Sequence, residues 1–245
     1  AHAQTLIGAP HSESATNTLT LPSTGGNSYL LTAASTATVT NKTFTSPKIN
    51  EDVAVTATAT EINKLDGVGT LAQAGKHTIW VPANAMTPTA SNGCSILTTV
   101  ETTSGRPDMN VLDFDKDSDE FAQFSVAFPK SWNAGTITFQ FFWSGIAATT
   151  GVAMNLQGVS FADNDSIDTA YGTAVVVQDD AQGAVEELLV SAESGAVTIA
   201  GSPGDNELCY FRIGRDVSDG NDDMAGDCRL HGVKLFYTTD AANDA

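Results

Sequence analysis

Carboxylates alternate through DFDKDSDE, residues 113–120, and that spacing is the first place in this chain where chemistry could occur. Asp113, Asp115 and Asp117, with Asp119 behind them, could turn several oxygens toward one hard cation, as the opening of an EF-hand loop does. The EF-hand itself is excluded, because its turn glycine would be Ser118 and its bidentate glutamate Phe124. An irregular calcium site is one reading; a solvated turn between strands is the other. DVSDGNDDMAGD (216–227) repeats the choice with Asp216, Asp219, Asp222, Asp223 and Asp227, as does DNDSID (163–168) with fewer carboxylates. Gly, Asn and Asp all favour turns, so the turn reading is preferred for both.

Groups for covalent or acid–base work are sparse. Paired carboxylates could cleave glycosides, yet the chain has no repeats from which a long β-helical body could be built. No GxSxG, HExxH or glycine-rich nucleotide loop occurs. His2, His11, His77 and His231 are scattered, and the two in strand-like runs, His77 and His231, read as partly buried strand members. No enzyme is expected, and no cofactor beyond calcium at the acidic loops. Cys94, Cys209 and Cys228 form no zinc spacing. Cys209 and Cys228 flank a polar turn region and could face each other across a hairpin; buried free thiols are the default.

Aromatic rings could stack on sugar faces, and Trp80, Trp132, Trp143, Tyr171 and Tyr237 form the pool. Trp143 shares a strand face with Phe139 and Phe141 and reads as core. Trp132, after Pro129 in FPKSWNAG, is the best exposed candidate; its other reading is a plug at the end of a sandwich.

The elements that must position these groups divide the chain near residue 75. Before it, Ser and Thr abound and Tyr29 and Phe44 are the only aromatics. Such a segment cannot offset its own ordering entropy, so it is either disordered or ordered by other chains. Residues 76–245 instead alternate apolar and polar positions between turn signals. HTIWVPA, SILTTVET, NVLDFD, EFAQFSVAFP, TITFQFFWS, VAMNLQGVSFA, TAVVVQ, EELLVSA, AVTIAG, ELCYFRIGRDV and RLHGVKLFYTT are the strand candidates. In EFAQFSVAFP, Ala122, Phe124, Val126 and Phe128 share a face; in TITFQFFWS, Ile137, Phe139, Phe141 and Trp143 do. About ten or eleven short strands predict an all-β sandwich of the jelly-roll kind. A helical turn has room only at 160–172, capped by Asp165 or Ser166.

The chain carries 29 Asp and Glu against 11 Lys and Arg, a formal net charge of −18. That argues against nucleic acid, whose phosphates need basic partners. No apolar run approaches the roughly 20 residues of a membrane-spanning helix, so no membrane insertion is expected.

TVTNKTFTSPKI (38–49) and ATEINKLDGV (59–68) resemble phrases that recur in the shaft segments of tailed-bacteriophage fibres. FPKSWNAGTITFQFFW (128–143) and LHGVKLFYTTDAANDA (230–245) resemble a domain of phage virion proteins. The resemblance implies a homotrimer, with residues 1–75 as mount and intertwined β shaft and 76–245 as sandwich head. It also implies virion proteins as partners of the N-terminal segment and a host-surface glycan or protein as partner of the head. Thr60 would cap a short helix in TATATEINKLDGV, with Gly67 as its stop. Trp132, Asp163 and Asp165 are then the candidate host contacts. A head-mounted fibre or capsid decoration protein without a receptor is the alternative, and a polysaccharide-degrading enzyme the more distant one.

Overall fold

Alternation sets the architecture, because successive strand side chains point to opposite faces. The computed structural model describes residues 56–64, 75–241 and 243–244. The chain divides into two units, Ala1–Asp66 and Gly67–Ala245. Most of the expected mount and shaft, residues 1–55 and 65–74, lies outside the described residues, as does Gly67.

In the first unit one helical turn is described, α1 (Ala59–Asn63). Its N-cap is Thr58 rather than Thr60. The Thr58 hydroxyl accepts from the Glu61 N–H, and the Glu61 carboxylate accepts from the Thr58 N–H at 2.7 Å. This capping box needs a Thr three residues before a Glu, and only Thr58 has that spacing. The Thr58 N–H first, then the Thr58 hydroxyl at 2.7 Å, donate to that carboxylate and hold it below its usual value.

The second unit contains β1 (Lys76–Pro82), β2 (Thr87–Pro88), β3 (Thr98–Glu101), β4 (Asp108–Phe114), β5 (Glu120–Val126) and β6 (Thr138–Ser144). It continues with β7 (Gly151–Phe161), β8 (Val175–Asp180), β9 (Leu189–Val190), β10 (Ile199–Ala200), β11 (Leu208–Arg215) and β12 (Cys228–Thr238). Two sheets form. The first runs β3-β4-β12-β6-β9, with β1 also paired to β12; the second runs β10-β7-β11-β5-β2, with β8 also paired to β7. Every pairing between these strands is antiparallel except β10 with β7. The expected all-β sandwich is therefore present. The helical turn expected in 160–172 is absent; a tight turn there is closed by the Asp165 N–H to the Ala162 carbonyl, 3.2 Å.

The predicted inward faces meet in one core. Ile137, Phe139, Phe141 and Trp143 are fully buried against Phe211, Ile213, Met154 and Leu156 from the opposite sheet. Each such side chain contributes roughly 1.5–3 kcal/mol of burial. At one end β1 and the close of β12 run side by side, Lys76 opposite Thr238. The Gly75 N–H donates to the Thr239 hydroxyl (3.1 Å), and the Thr239 N–H donates to the Gly75 carbonyl (2.8 Å). The strand that opens the sandwich and the one that closes it are thus tied together.

Candidate functional site

One carboxylate of the acidic loops, Asp222, is held by a cation of the chain itself. Strand β11 alternates Cys209, Phe211, Ile213 and Arg215 into the core, and the Arg215 side chain is fully buried. Its Nε and Nη2 donate to the two oxygens of Asp222 at 2.9 and 2.7 Å. Its Nη1 donates to the carbonyls of Phe114 (3.3 Å) and Gly226 (2.8 Å), and Nη2 also to that of Met224 (3.1 Å). All five N–H groups are engaged, the condition under which a buried guanidinium can be kept. Burial works against its charge, but the hydrogen bonds and charge of Asp222 outweigh it and raise the Arg215 pKa.

The other carboxylates tie their own loops. Asp113 accepts from Arg229 Nε at 3.0 Å. Asp115 accepts from the Asp117 N–H (2.6 Å), and Asp117 pairs with Lys116. Asp216 takes the Ser218 hydroxyl (2.6 Å), and Asp219 takes Gln178 Nε2 and the Asn221 N–H, both 2.9 Å. The backbone bond from Asn221, then that from Gln178, holds the Asp219 carboxyl below its usual range. Asp119 accepts from the Val217 N–H at 3.0 Å, so the two acidic loops, far apart in sequence, meet. Among the described residues no group of three His, Cys, Asp or Glu is arranged to hold a metal.

The aromatic pool separates sharply by burial. Trp143 is core, with its indole N–H donating to Asp179 Oδ2 at 2.7 Å. Trp132 is only 4% exposed, which corrects its expected role as an exposed contact. A turn from the Trp132 N–H to the Pro129 carbonyl folds FPKSW back, and the indole stacks on Phe128 with centroids 4.2 Å apart. Phe128 also meets Phe211 and Tyr237, so this cluster plugs the end of the sandwich. Trp80, by contrast, is 48% exposed.

Tyr171 stands in a cleft on the outer face of the second sheet. Its floor is Gln123 of β5, Val159 and Phe161 of β7, and Tyr210 of β11; its wall is Ile167, Thr169 and Tyr171 from the segment 162–174. The cleft encloses about 290 Å³. Tyr210 meets Phe161 edge-to-face, with centroids 6.1 Å apart. Arg212 lies between the rings of Phe121 (4.3 Å) and Tyr171 (5.1 Å) and donates to Gln157 Oε1 at 2.7 Å. This sandwich sets the Tyr171 ring by cation–π attraction, while burial pushes its phenol above the ordinary value. The wall is pinned by the Gly172 N–H to the Gly158 carbonyl (2.9 Å). A Cβ at Gly172 would come within 2.6 Å of the Thr198 carbonyl, so glycine is needed for that approach. Apolar rings beside a few polar side chains in a concavity of this size suit a small polyhydroxylated ligand.

Asp163 and Asp165 sit exposed on the first turn of the wall, outside the cleft lining. Asp165 uses its carboxylate on the Ala162 N–H at 2.9 Å. Gln123 and Tyr210 were not singled out from sequence, although alternation in EFAQFSVAFP and ELCYFRIGRDV places both outward.

Two further groups resolve differently from one another. Cys94, Cys209 and Cys228 are free and buried, so no Cys209–Cys228 bridge forms. Burial pushes the Cys94 thiol up to about 12 and raises the other two. His231 Nε2 lies 3.0 Å from Ser144 Oγ, but among the described residues no carboxylate hydrogen-bonds the ring to orient it as a base. Burial first, then the Arg229 charge, lowers the His231 pKa. His77, expected to be partly buried, is exposed on β1.

No protein-family model matches the chain, and no curated protein matches it. Among solved structures, it is similar to an isomalto-dextranase of Arthrobacter globiformis T6 complexed with panose, at 18% identity and a TM-score of 0.39. That match covers 64% of this chain and 23% of the other, so the chain spans about a quarter of that enzyme. It is also similar to the CBM35 from Cellvibrio japonicus Abf62, at 9% identity and 0.38, covering 67% and 99%. A third is the C-terminal family 22 carbohydrate binding module of Clostridium thermocellum Xyn10B, at 10% identity and 0.40, covering 66% and 92%.

Proposed function

We propose that this chain is a fibre protein of a tailed-bacteriophage virion whose sandwich holds a host-surface glycan in the Tyr171–Tyr210 cleft without cleaving it. The cleft carries the reading. Its rings offer faces for a sugar's C–H surface, and Gln123 and Thr169 offer hydroxyl partners beside them. The phrases TVTNKTFTSPKI and ATEINKLDGV support the fibre assignment, with three chains ordering the N-terminal shaft together. Three weak sites on one fibre then act as one strong attachment. The facing orders β4-β12-β6-β9 and β5-β11-β7-β8 support a jelly-roll-like version of the sandwich.

The test is titration of the full chain with polysaccharide extracted from host cells. Tyr171→Ala and Tyr210→Ala should each weaken binding about tenfold, the loss of roughly one ring contact. Equal binding by both variants would remove the cleft from the function, and shortening of the polysaccharide by the pure chain would make it an enzyme. Labelling of intact virions with antibody to the chain tests the mounting.

A further inference from the structure

We propose that the outer face of the first sheet holds a second saccharide site, centred on Trp80 and selective for glycans that carry carboxylates. It lies on the sheet opposite the Tyr171–Tyr210 cleft and does not rest on that reading.

The indole of Trp80 is half in solvent and fixed from below. A Cβ at Gly232 would meet its Cη2 at 2.5 Å and its Cζ2 at 2.6 Å, so the six-membered ring lies over the glycine backbone. Any side chain at 232 would lift it away. Phe142 supports the ring edge-on, with centroids 4.9 Å apart and planes at 80°. The ring is thereby held at one place and one tilt, with nearly half of its surface left open. A pyranose stacking there gives up its own freedom but little of the protein's, which favours binding by a preorganised group.

The indole leans over Gly232 and the Lys234 ammonium over Phe236, so the cation lies along β12 from the ring, within reach of a saccharide of several units stacked on it. Lys234 is the cross-strand partner of Trp80, and Gln140 is the partner of Lys234 on the far side. Lys76 and Lys234 both lie over the Phe236 ring, at 4.7 and 5.1 Å. Lys76 is taken by Glu193. Lys234 makes no ion pair among the described residues. Lys64, Arg106, Lys130 and Arg212 are likewise without an ion pair there, but Lys234 alone of these is the cross-strand partner of an exposed indole. Its charge attracts a carboxylated sugar and gives a neutral one no such gain. A second copy of the chain suits this face less well. A stable protein interface needs about 800 Å² from each partner, far more than one exposed indole and its nearest neighbours offer.

The experiment is calorimetric titration of the full chain with hexamers of galacturonate, glucuronate and mannuronate, with neutral cellohexaose as control, at low and high salt. At least one acidic hexamer should bind and lose affinity on adding salt. Trp80→Ala should weaken it about tenfold, Trp80→Phe should retain part of the affinity, and Lys234→Gln should weaken it and flatten its salt dependence. The Tyr171→Ala/Tyr210→Ala double variant should leave this binding unchanged, so the two sites fail or stand separately. Unaltered unfolding midpoints show that the variants are folded. The proposal is overturned if no acidic hexamer binds, if binding survives Trp80→Ala, or if cellohexaose binds equally. It is also overturned if Trp80→Ala instead abolishes concentration-dependent self-association, which would assign the face to a second copy.

Discussion

Arg215 shows how much one residue can change the meaning of its neighbours. Five acidic residues within 216–227 suggested either a metal or a polar tip; the guanidinium one position upstream makes Asp222 the partner of a built-in cation. The alternation of β11 already placed Arg215 on the inward face, so this was legible, though a charge at the end of an apolar register is easily read as exposed. Arg215→Met should cost about 3–5 kcal/mol in urea unfolding, because it leaves the Asp222 charge buried and unpaired. The double variant Arg215→Met/Asp222→Leu should recover much of that loss. His231 gives the pH dependence. Its folded pKa lies below the ordinary 6.5, so the unfolded chain takes up the proton first. The stabilising contribution is present above pH 6.5 and is lost as pH falls toward the folded value. His231→Gln should flatten the unfolding midpoint over that acidic window. The three thiols are buried and held protonated. They should ignore a thiol reagent at mildly alkaline pH until the chain is unfolded, and prompt labelling of the native chain would contradict their placement.

At the level of elements, strands with strict alternation were readable and short ones were not. EFAQFSVAFP and TITFQFFWS announce β5 and β6 because each places three or four large apolar groups on one face. β2 has two residues and ends in Pro88, too little for any period to show. α1 was anticipated, but its cap was placed two residues late among three near-equivalent threonines. The wall of the cleft was hidden for another reason: 162–174 has no period, and it is pinned by a backbone bond from Gly172 to Gly158 of β7 that only the fold brings near. Trp132 failed as a contact for a similar cause, since a tight turn returns it to the core. Phe211 lies at the centre of β11, paired on both sides and fully buried. Phe211→Ala should therefore cost about 3–5 kcal/mol, read as a lower denaturant midpoint.

For the whole molecule, the composition step near residue 75 leads only to the expectation that other chains order a Thr-rich segment with two aromatics; the fibre proposal rests on the resemblance of TVTNKTFTSPKI and ATEINKLDGV to phage-shaft phrases. Native mass spectrometry should give three times the 25.4 kDa chain. A monomer at micromolar concentration would overturn the trimer. Because each chain carries −18, added salt should tighten the association by screening the repulsion. The seam between Gly75 and Thr239 has its own consequence at this scale. A sandwich entered and left at a single point can be exchanged for another by recombination without rerouting the rest of the chain.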